Sequence, residues 1–287
     1  MWASLPPHAE AMNLDNLMAF AARTAEQAGE ITLRHFGDVV TERKGDGSEV
    51  TVADRESEEF IRSEIAAAFP EDGILGEEGS SVESSSGRRW IIDPIDATRS
   101  FSSGVPLFGV LIGLEVDGVP IVGCCHLPAL RETVVASVGA GAWRNGTRAR
   151  VSAIEEMSEA RVVTSGLEYW RDWATPEGRA GWDRVVAGAR FARTWGDCYG
   201  YMLVATGRAE IMADPAVGAL WDYLPMVPII AEAGGRLSTL GGGAIGAWTS
   251  ALATNSRLHR AAMDCWPAAG MGDGAVQVDA ILARQAG

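Results

Sequence analysis

The chain has 287 residues, 47% of them hydrophobic and 22% charged. That is the composition of an ordinary globular protein with ample apolar material for a large core. Against 38 Asp and Glu there are 24 Lys and Arg, a net charge of −14, so the basic footprint of a nucleic-acid binder is missing. A small phosphate ester stays open, because divalent cations invert the local charge of clustered carboxylates. Cys124, Cys125, Cys198 and Cys265 contain no C-x-x-C pair and read as reduced core residues of a cytoplasmic protein. No run of about 18 apolar residues is present, so no membrane span is expected. Residues 1–13 lack the basic start of a signal peptide.

In chain order, Asn13 or Asp15 caps a helix whose apolar positions recur from Leu14 to about Phe36, with Gly37 as its stop. Glu42 to Thr51 reads as an exposed loop. Asp54 opens a second helix that Phe69-Pro70 ends. Ile74-Leu75 is a short strand leading to Gly76-Glu77-Glu78, and Ser80 to Gly87 is a serine-rich loop. Trp90-Ile91-Ile92 is a buried strand that breaks at Asp93-Pro94. Phe108 to Val138 reads as β-structure, with a hairpin at Asp117-Gly118 and a further turn at Asn145-Gly146. Beyond residue 150 strands and helices alternate. Strands are expected at 162–163, 191–195, 210–213 and 251–254, and helices at 181–189, 197–206, 221–233 and 258–266. The domain reading is an α+β half (1–150), an α/β half (151–270) and a tail (271–287), joined in one catalytic unit.

Chemistry concentrates in Trp90-Ile91-Ile92-Asp93-Pro94-Ile95-Asp96-Ala97-Thr98-Arg99-Ser100-Phe101. A buried strand delivers Asp93 and Asp96 at its C-terminal end, and Pro94 stiffens the turn between them. Neighbouring carboxylates repel unless a hard cation such as Mg²⁺ compensates them. The Ile95 carbonyl lies between the two as another oxygen donor. The turn that follows offers amides to an anion. Glu77 is a further carboxylate at a strand end. Lys44, Thr51 and Asp54 lie around a loop before a helix, where Asp54 is an N-cap, a role compatible with a catalytic hydrogen bond. Asp222 begins a helix running to Glu232-Ala233-Gly234-Gly235, and is also placed where a helix dipole favours an acid.

Taken together, Gly76-Glu77-Glu78, the Trp90–Thr98 segment and Trp221-Asp222…Glu232-Ala233-Gly234-Gly235 resemble the inositol monophosphatase-like superfamily, over about residues 13–266. The resemblance implies a five-layered αβαβα sandwich and a phosphatase using two or three Mg²⁺ per site, with Mn²⁺ as a substitute. By the same resemblance Glu77, Asp93, the Ile95 carbonyl, Asp96 and Asp222 are metal ligands. Thr98 and Asp54, assisted by Glu77, orient the water, and the amides of Ala97 and Thr98 hold phosphate. It also implies a homodimer. The family has Gly where Ala97 stands; Ala is costly there if φ is positive and harmless if φ is helical, and the helical case is expected.

The segments Arg193-Thr194-Trp195-Gly196-Asp197-Cys198-Tyr199-Gly200-Tyr201 and Arg99-Ser100-Phe101 resemble the histidinol-phosphate phosphatase branch. The resemblance implies L-histidinol phosphate as substrate, with residues of the 193–201 segment, Gly196 and Cys198 among them, around the alcohol. Asp197 and Asp214 suit an ammonium group, Trp195 or Tyr199 a ring, and Arg99 or Arg193 the phosphate. Capping for Asp197 and packing for the tyrosines stay open. Alternatives are inositol monophosphate, another cyclitol or sugar phosphate, a nucleotide phosphate, or a non-catalytic metal- or phosphate-binding relative, for which Ala97 alone speaks. Pro228 is expected to kink the 221–233 helix, and Pro225 has no functional account.

Overall fold

The computed structural model describes residues 13–45, 49–215 and 218–266. Expectations placed on residues 1–12 and on the tail lie outside them. Helix α1 (Leu14–Leu33) starts where the Asn13 side chain accepts from the Asn16 amide at 3.1 Å. It buries Leu17, Ala21, Ala25 and Ala28, one stripe at the spacing of a helix lying on a sheet. The 42–51 loop contains two short antiparallel strands, β1 (Glu42–Arg43) and β2 (Glu49–Val50). Helix α2 (Val52–Ala68) begins before Asp54. Thr51 is its cap, and Asp54 Oδ2 accepts from the Thr51 amide (2.7 Å) and hydroxyl (2.6 Å). This reciprocal box places Asp54 inside the first turn rather than at the cap.

The first sheet has seven strands, in spatial order as in sequence: β3 (Gly73–Gly76), β4 (Arg88–Asp96), β5 (Gly109–Val116), β6 (Val119–Leu127), β7 (Glu132–Ser137), β8 (Gly141–Arg144) and β9 (Thr147–Arg148). The β3–β4 pair is parallel and the other pairs are antiparallel. At Asp117-Gly118 and Asn145-Gly146 both residues have positive φ, as tight hairpins require. Strand β4 does not stop at Asp93-Pro94. It runs on to Asp96, with the ladder to β5 slipping between Asp93 and Asp96, because Pro94 has no N–H to contribute.

The second sheet has the order β11-β10-β12-β14-β13, from β10 (Arg161–Val163), β11 (Phe191–Arg193), β12 (Ile211–Asp214), β13 (Arg236–Ser238) and β14 (Ala251–Thr254). Strand β10 is parallel to both neighbours, and β14 is antiparallel to both of its own. The remaining helices are α3 (Thr98–Ser102), α4 (Leu167–Asp172), α5 (Pro176–Gly188), α6 (Asp197–Ala205), α7 (Leu220–Tyr223), α8 (Met226–Glu232) and α9 (His259–Met263).

Burial sorts these elements into five layers. Helices α1 and α2 cover one face of the first sheet around Ile61, Trp90, Ile92 and Ile112. Helices α6 and α8 fill the space between the sheets, packing Met202 and Ile229 against Leu127, Val134 and Ala253. Helices α4, α5 and α9 cover the far face of the second sheet around Trp170, Trp182 and Trp266. The result is the expected αβαβα sandwich. Among the described residues no helix is long and apolar enough to cross a membrane.

The expected 221–233 helix is two helices. Pro225 stands at the N-cap of α8, so Pro228 falls within its first turn, where a missing N–H costs nothing. The break lets the chain press onto the first sheet: a Cβ at Gly123 would collide with the Pro225 carbonyl, and one at Gly113 would meet Leu224 at 2.8 Å. Pro225 thus has a packing role, docking the α7–α8 corner against strands that only glycine lets approach.

Candidate active site

Parallel pairing of β3 with β4 brings the separated acids together. Gly76 lies opposite Ile92, and the Glu77 amide donates to the Ile92 carbonyl at 3.2 Å. Glu77 is thereby set beside Asp93. Asp93 Oδ1 accepts from the Ile95 amide at 3.0 Å across the slipped register. Asp96 Oδ2 accepts from the Cys198 amide of α6 at 2.5 Å, and Asp222 Oδ2 from the Ala219 amide at 2.6 Å. Carboxylate oxygens of Asp93, Asp96 and Asp222 lie within 4.8 Å of one another. Lys44 donates to Glu77 at 2.8 Å and to Glu78. Buried Glu58 of α2 accepts from the amides of Glu78 (2.8 Å) and Gly79 (2.7 Å), fixing the turn that carries Glu77.

These acids are electrostatically strained. Burial, then the charges of Glu77, Asp96 and Asp222, holds Asp93 well above the usual carboxylate range. Burial and the neighbouring acids do the same to Asp222. Burial and the charge of Asp197 push Asp96 up to about 7. In Glu77 burial outweighs the opposing pull of Lys44. An oxygen-only donor set, crowded and short of protein cations, fits a hard divalent metal.

The acids line a pocket of about 220 Å³ together with Ile95, Ala97, Thr98, Arg99, Asp197, Cys198 and Asp214. Ala97 is left-handed (φ 67°, ψ 50°), contrary to the helical φ expected from the sequence. A methyl is therefore held where glycine is free of strain. Ala97→Gly is expected to raise stability to unfolding. Relief of roughly 1–2 kcal/mol exceeds the roughly 0.4–1 kcal/mol of added chain entropy. Chemical denaturation reads this directly, and a net loss of stability would contradict the strain.

Several expected residues are placed elsewhere. The Thr98 hydroxyl donates to the Ile95 carbonyl at 3.1 Å, while Asp54 bonds Thr51 and is not among the pocket-lining residues. The Thr98–Asp54 pair is therefore not joined by a hydrogen bond. Asp54 Oδ1 is buried without a partner, and burial raises its carboxyl to about 6. Arg193 is exposed, with its guanidinium over the Phe191 ring and donating to the Ala192 carbonyl. Gly196 sits behind the wall, where any Cβ would collide with Ser165. Trp195 is 42% exposed, and Tyr199 packs under Arg208.

The far side of the pocket is built on Ser165. Its amide and hydroxyl donate to Asp214 at 2.9 and 2.5 Å, and its hydroxyl accepts from the Asp197 amide at 2.8 Å. Burial outweighs these donors and pushes Asp214 up to about 7. Asp197, also left-handed (φ 50°), is raised by burial, with Arg99 pulling the other way. Glu49, Ser165, Tyr169, Gly218 and Tyr223 also line the pocket, as does Tyr201, and the first five were not singled out from the sequence. Ser165 follows a strand end, the usual position for site residues in such sheets, and that signal would have found it.

The profile of the inositol monophosphatase family matches residues 13–266. Histidinol-phosphatase of Chlorobaculum parvum is 47% identical over 220 residues, 76% of this chain and 83% of that one. Histidinol-phosphatase of Mycobacterium tuberculosis is 39% identical, covering 86% and 96%. The crystal structure of the extragenic suppressor protein suhB from Bartonella henselae superposes with a TM-score of 0.82 at 27% identity, covering 89% of this chain and all of that one. Layered sandwich, clustered acids and a sequence match over residues 13–266 point the same way, and the chain belongs to the inositol monophosphatase family.

Proposed function

We propose that this protein hydrolyses a small phosphomonoester and that its substrate is L-histidinol phosphate. The observation that carries the substrate is charge. Beyond the four acids suited to metal, the pocket holds Glu49 and also Asp197 and Asp214, the last two raised by burial, with Arg99 as the one basic side chain among the described lining residues. A neutral polyol would leave this surplus in place, whereas an alcohol bearing an ammonium group neutralises it. The relatives named histidinol-phosphatase support the same choice.

Glu77, Asp93, the Ile95 carbonyl, Asp96 and Asp222 would hold two or three Mg²⁺, for which Mn²⁺ can substitute. Bound metal supplies charge neutralisation of the ester oxygens and acidification of water. The Thr98 hydroxyl, with its proton on Ile95, presents lone pairs that accept from a water and orient it. The first amides of α3, which have no intrahelical acceptors, would receive phosphate oxygens, and Arg99 stands at the same edge. Asp54 acts at a distance by fixing Thr51 and the start of α2. The four free cysteines, three of them buried, support a reducing, cytoplasmic setting, and a homodimer follows the family pattern.

Phosphate release with and without Mg²⁺ tests the reading. kcat/KM for L-histidinol phosphate should exceed that for inositol 1-phosphate by roughly a hundredfold; the reverse order would assign the inositol ester instead. Asp197→Asn should cut kcat/KM for histidinol phosphate by roughly 10- to 100-fold, the worth of one charged hydrogen bond. Equal losses with neutral esters would remove Asp197 from the substrate's ammonium.

A further inference from the structure

We propose that Tyr169 determines specificity for the alcohol: its ring is the platform on which a flat, nitrogen-containing ring lies while the phosphate is held at the 97–99 turn. The inference rests on the amine-bearing-ester reading above. Three tyrosines line the pocket, Tyr169, Tyr201 and Tyr223. Tyr201 and Tyr223 are only 3% and 2% exposed, and the Tyr223 hydroxyl is engaged by the Gly218 amide and the Thr249 carbonyl. Tyr169 is half-buried and keeps aromatic surface for a ligand. The aromatics that the sequence offered for this task, Trp195 and Tyr199, are not among the pocket-lining residues.

Tyr169 shares the pocket with the groups proposed for both ends of the substrate, Arg99 for the phosphate and Asp197 and Asp214 for the ammonium. On the phosphate side, Arg99 Nη1 donates to its hydroxyl at 3.4 Å, with the guanidinium 5.8 Å from the ring centroid. Asp197 and Asp214 line the same pocket, and their charges reach the phenol. A ring placed here meets a π-face and a carboxylate together, an environment that favours an imidazolium or a polarised imidazole.

The platform is rigid because its neighbour is. Trp170 is buried, stacked on Trp182, and donates from Nε1 to Thr164 at 2.8 Å. With Trp170 turned inward, the roughly 100° step between consecutive helical residues turns Tyr169 away from that core. Trp173 supports it edge-on, with centroids 6.1 Å apart.

The test compares L-histidinol phosphate with O-phosphoethanolamine, which keeps the amine and lacks the ring. In Tyr169→Ala the ratio of their kcat/KM values should fall about tenfold, the scale of a lost aromatic stack. Tyr169→Phe, which keeps the π-face, should hold the ratio within about threefold of wild type. Tyr169→Leu keeps bulk without a π-face and should lower the ratio as alanine does, which serves if the alanine variant folds poorly. An unchanged ratio in both the alanine and leucine variants, with wild type preferring histidinol phosphate, would overturn the platform alone. A wild-type enzyme with no preference between the two esters would overturn the platform and the substrate reading together.

Discussion

Asp93→Asn is expected to cost at least about a thousandfold in kcat/KM on every phosphate ester, while the fold persists. Several kcal/mol of charge stabilisation at the ester is a factor of that size. Asp93 is the centre of the acidic cluster, in electrostatic contact with Glu77, Asp96 and Asp222. Asparagine keeps an oxygen to accept the Ile95 amide and loses the charge, so the variant separates metal binding from folding. Stability supplies an independent reading. Carboxyls whose folded pKa is raised bind protons more tightly folded than unfolded. Their stabilisation is present below about pH 4 and is lost as pH rises through the folded values, about 7 for Asp96. Metal-free wild type should therefore fall in melting temperature between about pH 5 and pH 8 by more than metal-free Asp93→Asn does. Mg²⁺ should restore the wild type at the higher pH and leave the variant nearly unmoved. Mg²⁺-dependent turnover near the wild-type rate in the variant would remove Asp93 from the metal set.

Chemistry that is short-range along the chain was legible in the sequence, and chemistry set by packing was not. Asp93, Ile95, Asp96, Ala97 and Thr98 lie within six positions of one another, so one buried strand announced them together. Apolar period separated strands from helices and so an α+β half from an α/β half, whereas the αβαβα layering was expected by resemblance. Thr98 and Asp54 were expected by resemblance to orient the water together; Asp54 closes a box with Thr51, a local arrangement that the T-x-x-D spacing itself permits. A helical φ was expected for Ala97; it is instead the left-handed N-cap of α3, between the end of β4 and Thr98, and an N-cap is not bound to helical angles. Arg193 was assigned to phosphate on charge alone, and one residue of strand parity is enough to place it on the outer side. Pro225 had no account until Gly113 and Gly123, a hundred positions earlier in the chain, were seen to admit its corner. Helix α4, six residues long, is too short for periodicity to register, so Tyr169 went unnoticed.

Trp170→Ala is expected to destabilise the protein by about 3–5 kcal/mol, the usual cost of truncating a buried aromatic. Trp170 is 2% exposed. It is stacked between Trp182 (centroids 4.8 Å, 12° between planes) and Trp266 (6.0 Å, 16°), joining α4, α5 and the end of α9 over the second sheet. Its removal leaves a cavity bounded by two other indoles, one held by helix α5 and the other by the Trp266 Nε1 bond to the Gly178 carbonyl, so collapse can recover little. At roughly 2–4 °C per kcal/mol for a chain of this size, the melting temperature should drop by about 10 °C. The second consequence is chemical. Trp170 Nε1 donates to Thr164 Oγ1, and that hydroxyl donates to Asp214 Oδ1 at 2.6 Å, so the indole orders a donor to the pocket carboxylate. Trp170→Phe retains a stacked ring and loses only this donor. It should cost about 1–3 kcal/mol and raise KM for histidinol phosphate more than it lowers kcat, because Thr164 is then free to turn away from Asp214. Equal melting temperatures for wild type and Trp170→Ala would show that the tryptophan stack is not what holds α4 to the sheet, and an unchanged KM in Trp170→Phe would sever its link to the pocket.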